Sequence, residues 1–171
     1  MSINYKNICK DKDYIRVYKR ITELRFPNDA LPVYKYLYSL KGEISKELYA
    51  YLYRGLLQFN TKNVPVDFRL KMFEGISQDD IMYEDELNAI RNDFSDIITI
   101  YRGTDINEKV PGLSWTLDKS IASSIFYKGR LYCAQISKKD ILLYFAHEED
   151  EEEVIAHVTS NYKIIKEGYH Q

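Results

Sequence analysis

The sequence contains few of the residues that cross-link a chain or interrupt its regular structure. Its 171 residues include two cysteines, four prolines, seven glycines and one tryptophan. Cys9 and Cys133 fall in neither a Cys-x-x-Cys nor a Cys/His ligand spacing. This spacing argues against a disulfide framework and against a structural zinc site, and it favours reduced thiols in the cytoplasm.

Long apolar runs and an excess of one charge are also missing. No stretch approaches the roughly 20 apolar residues that span a bilayer, and the N-terminal segment lacks the apolar region of a signal peptide. We therefore expect a cytoplasmic protein with no membrane partner. Charged residues make up 29% of the chain, yet the formal net charge is −2, a balance that argues against nucleic acid as a partner.

Apolar residues are plentiful, and they follow two different periods. With 45% hydrophobic residues, the chain is long enough for one ordinary domain over residues 1–171. Up to about residue 94 the apolar positions recur every three or four residues, as in amphipathic helices. Strand-like runs of five to eight residues follow, among them RLYCAQIS and YKIIKE. Helices first and strands later predict an α+β fold, with a helical lobe over 1–95 and a β-rich core over 96–171.

Helix boundaries in the first half are marked by turn and cap residues. Pro32 suits the first turn of one helix and Gly42 its end, while Ser45 and Ser77 suit the N-caps of two others. In the second half, Asp118 is expected to cap one short helix. Most of the sixteen tyrosines precede residue 60 at helical spacing, and we interpret them as packing residues, with a protein-binding surface as the alternative.

Two hydroxyl side chains alternate with apolar ones in the segment LSWTL, which begins at Leu113. Successive side chains of a strand point to opposite faces, so Trp115 and the leucines share one face while Ser114 and Thr116 share the other. We expect the apolar face to lie in the core. The two hydroxyls can then bind water, a neighbouring strand or a ligand.

Six acidic residues, Glu148 to Glu153, lead directly into the β-branched pair Val154 and Ile155. Blocks of like charge are usually solvated tails, but a tail should not continue as a strand. Strand alternation places Glu151 and Glu153 on one face, about 7 Å apart. Such a pair can stabilise a developing cation and take a proton from an attacking group.

The tripeptide YRG occurs twice, and its setting separates the two copies. In "ITIYRG" a strand ends in Arg102, followed by Gly103. Such an arginine offers a fixed fork of donors to phosphate or carboxylate, and the glycine allows a ligand to approach the backbone. The first copy lies in a segment of helical period, so we interpret Arg54 as a solvated helix charge.

In this order, the motifs resemble those of the arginine-serine-glutamate clade of mono-ADP-ribosyltransferases. The matching segments are "IYRG", "LSWTLDKSIASSIF" and "EEEVI", and the resemblance covers roughly residues 96–160. It implies a mixed, mostly antiparallel, split β-sheet core that uses NAD as substrate and no metal. The family's Ser-Thr-Ser motif is Ser114-Trp115-Thr116 here, so any contact of the central threonine is lost.

The resemblance also implies a role for each matching residue. Glu153 would stabilise the oxocarbenium-like transition state, and Glu151 would orient or deprotonate the acceptor. Arg102 and Gly103 would hold the NAD phosphates, with Ser114 and Thr116 supporting the pocket. Phe126 or Tyr127, on the helix after the serine motif, would stack on the nicotinamide ring. The acceptor expected from Glu151 is an arginine of a protein.

Other functions stay open at this point. The chain could hydrolyse NAD or ADP-ribosylate nucleic acid, or it could be an inert module that grips a protein through its tyrosine-rich lobe. Its size and composition suit a phage or toxin-like effector that modifies a host protein in the host cytoplasm.

Overall fold

The computed structural model describes residues 3, 5–24, 29–59, 61, 63–104, 112–125, 129–148 and 151–167. Within these ranges the chain forms helices first and then an antiparallel open sheet, which confirms the predicted α+β class. The helices are α1 Tyr5–Ile8, α2 Tyr14–Leu24, α3 Leu31–Ser39, α4 Lys46–Phe59, α5 Val66–Phe73, α6 Gln78–Ile81, α7 Glu84–Asn88 and α8 Lys119–Ile125. The strands are β1 Ile97–Thr104, β2 Ser114–Thr116, β3 Arg130–Ser137, β4 Ile141–Glu148, β5 Glu151–Ala156 and β6 Tyr162–Glu167.

Contacts within the chain divide it into two compact units, Met1–Glu84 and Asp85–Gln171. The division comes earlier than the predicted lobe boundary at residue 95, because most of α7 and the π-helical turn Ala89–Asp93 group with the strands. No helix among the described residues is both long enough and apolar enough to cross a bilayer.

Helix α4 lies at the centre of the first unit, where it packs against α1, α3 and α6. Ser45 caps it, since the Ser45 hydroxyl accepts a hydrogen bond from the Leu48 N–H at 3.2 Å, as predicted. Most of the circumference of α4 is buried. Its buried residues are Leu48, Tyr49, Ala50, Leu52, Tyr53, Arg54, Leu56 and Leu57.

The burial of α4 shows that the interpretation of Arg54 as a solvated charge is wrong. Arg54 is 5% exposed. Its Nη1 lies 3.4 Å from the carbonyl oxygen of Ile81, and its guanidinium carbon lies 4.4 Å from the ring centroid of Tyr83. The prediction from the sequence failed because α4 is buried on nearly all sides. Its helical periodicity therefore does not mark a solvent-exposed face.

The helix predicted to start at Ser77 is interrupted after one turn. The Ser77 N–H and hydroxyl both donate to Oδ2 of Asp80, at 2.7 and 2.6 Å, so the predicted cap is present. Helix α6 nevertheless ends at Ile81, because Met82 takes an extended conformation with φ −105° and ψ 153°.

The strands of the second unit lie in the order β4-β5-β2-β1-β3-β6, and all their described pairings are antiparallel. Helix α8 packs against β1 and β2. Alternate residues of β1 are buried, with Ile98 at 8% and Ile100 at 0% exposure.

The connection between β3 and β4 requires the sheet to curve. The two strands lie four positions apart in the sheet order, and in a flat sheet about 19 Å would separate them. The link from Ser137 to Ile141 contains only the 3₁₀ turn Lys138–Asp140, and four chain steps span at most about 14 Å. Strands β4 and β5 therefore bend towards β3.

Candidate active site

Strands β2 and β5 bring two predicted site residues into direct contact. Their register pairs Ser114 with Ile155 and Thr116 with Glu153, and residues paired in this way project from the same face. The Ser114 hydroxyl donates a hydrogen bond to Oε1 of Glu153. A hydroxyl and a carboxylate that are 39 residues apart in the chain thus form one pair.

The opposite face of the same two strands holds this pair in register. Trp115 and Val154 face each other across β2 and β5, and they are 2% and 0% exposed. The prediction that the tryptophan points into the core is confirmed. Because these large apolar groups are buried, sliding either strand would expose them to water. Ser114 and Glu153 are consequently held side by side, both partly accessible.

Arg102 contacts the main chain of Ser114. Its Nη1 donates to the Ser114 carbonyl oxygen at 2.5 Å, so the guanidinium links β1 to β2. The register pairs Tyr101 with Thr116, which places Arg102 on the other face of β1 from Tyr101. Thr116 shares a face with Ser114 and Glu153, so Arg102 lies on the face opposite this pair, and its guanidinium contacts the carbonyl group of the residue that carries the hydroxyl.

Gly103 lies within a strand, not beyond its end. The prediction that the strand ends at Arg102 is wrong, because β1 continues to Thr104 and Gly103 pairs with Leu131 of β3. In the described part of the chain, the glycines with positive φ are Gly42 and Gly75. The Gly103 backbone is thus ordinary extended strand, and the residue is buried.

Thr116 uses its hydroxyl to start helix α8. Its Oγ1 accepts a hydrogen bond from the Asp118 N–H at 3.0 Å. Asp118 Oδ1 in turn accepts hydrogen bonds from the hydroxyl and the N–H of Ser120, at 2.7 and 2.6 Å, which confirms the predicted cap. These hydrogen bonds to Ser120, the side-chain one foremost, lower the pKa of Asp118. Thr116 therefore supports the site by fixing the turn from β2 into α8.

Tyr144 contacts the acidic segment on the opposite face of β5 from Glu153, and the sequence did not indicate this contact. Its hydroxyl donates to Oε1 of Glu152 at 3.1 Å, and the residue is 2% exposed. Burial, followed by the negative charge of Glu152, raises the pKa of Tyr144, so the hydroxyl keeps its proton. The Glu152 carbonyl also accepts the Leu117 N–H at 3.2 Å. The acidic segment is thus attached to β4 and to the turn that follows β2. The presence of a tyrosine within the apolar run of β4 was the sequence signal that could have indicated the contact with Glu152.

Other predicted residues are described in part or not at all. Glu151 belongs to β5, and its backbone pairs with Glu148 of β4. The side chain of Glu151 lies outside the described residues, as do the whole of Phe126 and of Tyr127. No group of three or more His, Cys, Asp or Glu side chains in the described ranges is placed to hold a metal ion.

Comparison of the chain with protein-family models, with curated proteins and with solved structures finds no match in any of the three.

Proposed function

We propose that the protein is a mono-ADP-ribosyltransferase that moves ADP-ribose from NAD to a side chain of a protein, with arginine as the favoured acceptor. The proposal rests on the hydrogen bond from Ser114 to Glu153 beside the contact of Arg102 with Ser114. These are the three residue types, in chain order, that carry the resemblance to the arginine-serine-glutamate transferases.

The chemistry requires negative charge beside the ribose before the reaction starts. The bond between nicotinamide and ribose breaks, the bonding pair leaves with nicotinamide, and the ribose passes through an oxocarbenium-like transition state. The Glu153 carboxylate is the group that would stabilise this cation. A fixed charge is more effective than water here because it needs no reorientation as the cation forms.

Ser114 is the residue that fixes this charge. A hydroxyl that donates to a carboxylate holds it in one orientation and stabilises the ionised form. Arg102, which contacts the main chain of the same serine, would hold the NAD phosphates, as the resemblance implies. The acceptor nitrogen then attacks the anomeric carbon and forms the new C–N bond, and its proton would pass to Glu151.

The decisive experiment compares two neighbouring glutamates. Glu153→Gln should keep the fold and NAD binding but lower transfer by about 10²-fold or more, because pre-placed transition-state charge contributes several kcal/mol. Glu152→Gln is the matched control, since Glu152 lies on the opposite face of β5 and should keep activity within a few-fold of wild type. Near-wild-type turnover of the Glu153 variant would reject the proposed carboxylate.

Labelled NAD distinguishes the possible products. Each purified variant is incubated with labelled NAD and a cell lysate, followed by protease or nuclease digestion. Label released by protease supports the proposed protein acceptor, and mass spectrometry then identifies the modified residue. Label released by nuclease, or only as free ADP-ribose, would instead indicate modification of nucleic acid or hydrolysis of NAD.

A further inference from the structure

A β-bulge lies beside the carboxylates of the candidate active site. Phe145 of β4 pairs with Glu153 of β5, and Glu148 pairs with Glu151. Between these pairs β4 therefore has two residues, where β5 has Glu152 alone. Bulges interrupt the backbone ladder and occur often next to active sites, where they redirect side chains. The position of Glu152 consequently depends on contacts other than regular pairing with β4.

Two hydrogen bonds on opposite sides hold Glu152. On the side of β4, the Tyr144 hydroxyl donates to Oε1 of Glu152 at 3.1 Å. On the side of β2, the Leu117 N–H donates to the carbonyl oxygen of Glu152 at 3.2 Å. Because one hydrogen bond fixes the side chain and the other fixes the main chain, together they restrict both the position and the rotation of this residue.

The Tyr144 hydroxyl is carried by a ring that is packed into the core. Tyr144 is 2% exposed, and its ring meets the ring of Phe94 edge-on, with centroids 5.0 Å apart. Tyr144 also pairs with Val154, which faces Trp115 on its other side. A donor on such a ring has little freedom to move, whereas Glu152 is exposed to solvent. The hydrogen bond therefore attaches an exposed carboxylate to a fixed point.

The two glutamates beside Glu152 lie on different sides of this attachment. Glu153 accepts the hydrogen bond from Ser114 and precedes Val154, which is 0% exposed. Glu151 lies on the other side of Glu152, towards the turn between β4 and β5. The contacts of Glu152 thus stand between Glu151 and the buried part of β5. Loosening Glu152 should displace Glu151 more than Glu153.

We propose that Tyr144 is a positioning residue for the acceptor side of the site, which acts through Glu152 to set the place of Glu151. This inference rests on the proposed function. Once the bond to nicotinamide breaks, the anomeric carbon bonds to the acceptor nitrogen, whose proton passes to Glu151, or to the oxygen of water, which gives free ADP-ribose and a proton. Tyr144 favours the first outcome and leaves the cleavage step, which depends on Glu153, nearly unchanged.

The test measures cleavage and transfer separately. Purified protein is incubated with labelled NAD in buffer, where release of nicotinamide reports cleavage. It is also incubated with labelled NAD and cell lysate, where label that protease releases reports transfer, and lysate without the protein is the blank. Tyr144→Phe keeps the ring beside Phe94 but cannot donate to Glu152. We expect its ratio of transfer to cleavage to fall at least about tenfold, because displacing a positioned group by about 1 Å can lower a rate by about 10²-fold.

Three further variants show whether the hydrogen bond is responsible. Glu152→Ala should lower the ratio as much as Tyr144→Phe does, and the double variant should lower it no further, because both substitutions remove the same interaction. Glu152→Gln should keep the wild-type ratio, since its amide oxygen still accepts from Tyr144. Tyr34→Phe is the matched control and should change neither rate. It removes a buried hydroxyl of the helical unit that makes no hydrogen bond in the described part of the chain.

An unchanged ratio in Tyr144→Phe would overturn this role of Tyr144. A fall of transfer and cleavage by the same factor would also overturn it, because it would show a purely structural effect, and so would a fall in Glu152→Gln as large as in Glu152→Ala. In each case the proposed function would stand, because the wild type still labels protein. A wild type that labels no protein would instead reject the transferase itself, and the role of Tyr144 with it.

Discussion

The Ser114 hydroxyl donates a hydrogen bond to the Glu153 carboxylate across two neighbouring strands of the sheet. The two residues lie diagonally, since Ser114 is paired with Ile155, two residues beyond Glu153. Both are partly buried, so the hydrogen bond is screened less by water than a surface contact would be. Its effect on the carboxylate can be measured directly.

Ser114→Ala should lower ADP-ribose transfer about tenfold or more while the fold remains intact. A hydrogen bond to a charged group contributes about 1.5–3 kcal/mol, and only the part that acts in the transition state appears in the rate. Ser114→Thr, which keeps the hydroxyl, is the control and should retain most of the activity. The measurement is kcat/KM with labelled NAD, and equal values for the Ala and Thr variants would contradict the role assigned to Ser114.

Much of the second unit could be predicted from the sequence, because strand alternation is a local signal. The runs RLYCAQIS and YKIIKE coincide with β3 and β6. Alternation also predicted that the side chains of Trp115 and Ser114 point to opposite faces of their strand. The order of the strands was not accessible in the same way. That β2 lies between β1 and β5 depends on contacts between distant segments, which no local pattern specifies.

The same limit explains the errors. Strand signals end where apolar alternation ends, so β1 appeared to stop at Arg102, whereas pairing with Leu131 and Arg130 of β3 extends it to Thr104. Arg54 was assigned to solvent because an isolated helix must have a polar face, but α4 is surrounded by other helices. The contact of Tyr144 with Glu152 joins two strands, and neither strand indicates it alone.

Thr116→Val should destabilise the protein by about 1 kcal/mol. Valine matches the shape of threonine but cannot accept the hydrogen bond from the Asp118 N–H, and a helix start that loses a side-chain acceptor loses about this much. Urea unfolding followed by circular dichroism measures the change. Thr116→Ser should stay within about 0.5 kcal/mol of wild type, because it keeps the hydroxyl. An unchanged free energy of unfolding for Thr116→Val, together with a loss for Thr116→Ser, would show that the methyl group matters and the hydroxyl does not.

Arg54→Met should destabilise the helical unit by about 1–3 kcal/mol. The substitution leaves the Ile81 carbonyl without this donor and removes the contact between cation and ring at Tyr83, both in a buried setting. Arg16→Met is the matched control, since the Arg16 side chain is 58% exposed in its ion pair with Asp13. The control should leave the free energy of unfolding close to that of the wild type. A similarly small change for Arg54 would contradict its structural role.

Three tyrosines in the helical unit should resist ionisation at high pH. Burial raises the pKa values of Tyr34, Tyr49 and Tyr53, and Tyr34 is 0% exposed. The folded protein thus holds these phenolic protons more tightly than the unfolded chain does. Their contribution to stability is complete below pH about 10, the unfolded pKa of tyrosine, and is lost as the pH rises above it.

An alkaline titration followed by tyrosinate absorbance and circular dichroism should therefore show two phases. The exposed tyrosines ionise near pH 10, and the buried ones ionise only with the loss of helical signal at higher pH. Tyr34→Phe should move that second phase to higher pH. It removes one proton that must be lost on unfolding, and the Tyr34 hydroxyl makes no hydrogen bond in the described part of the chain. A single phase near pH 10 with the helical signal intact would mean that these tyrosines are accessible to water.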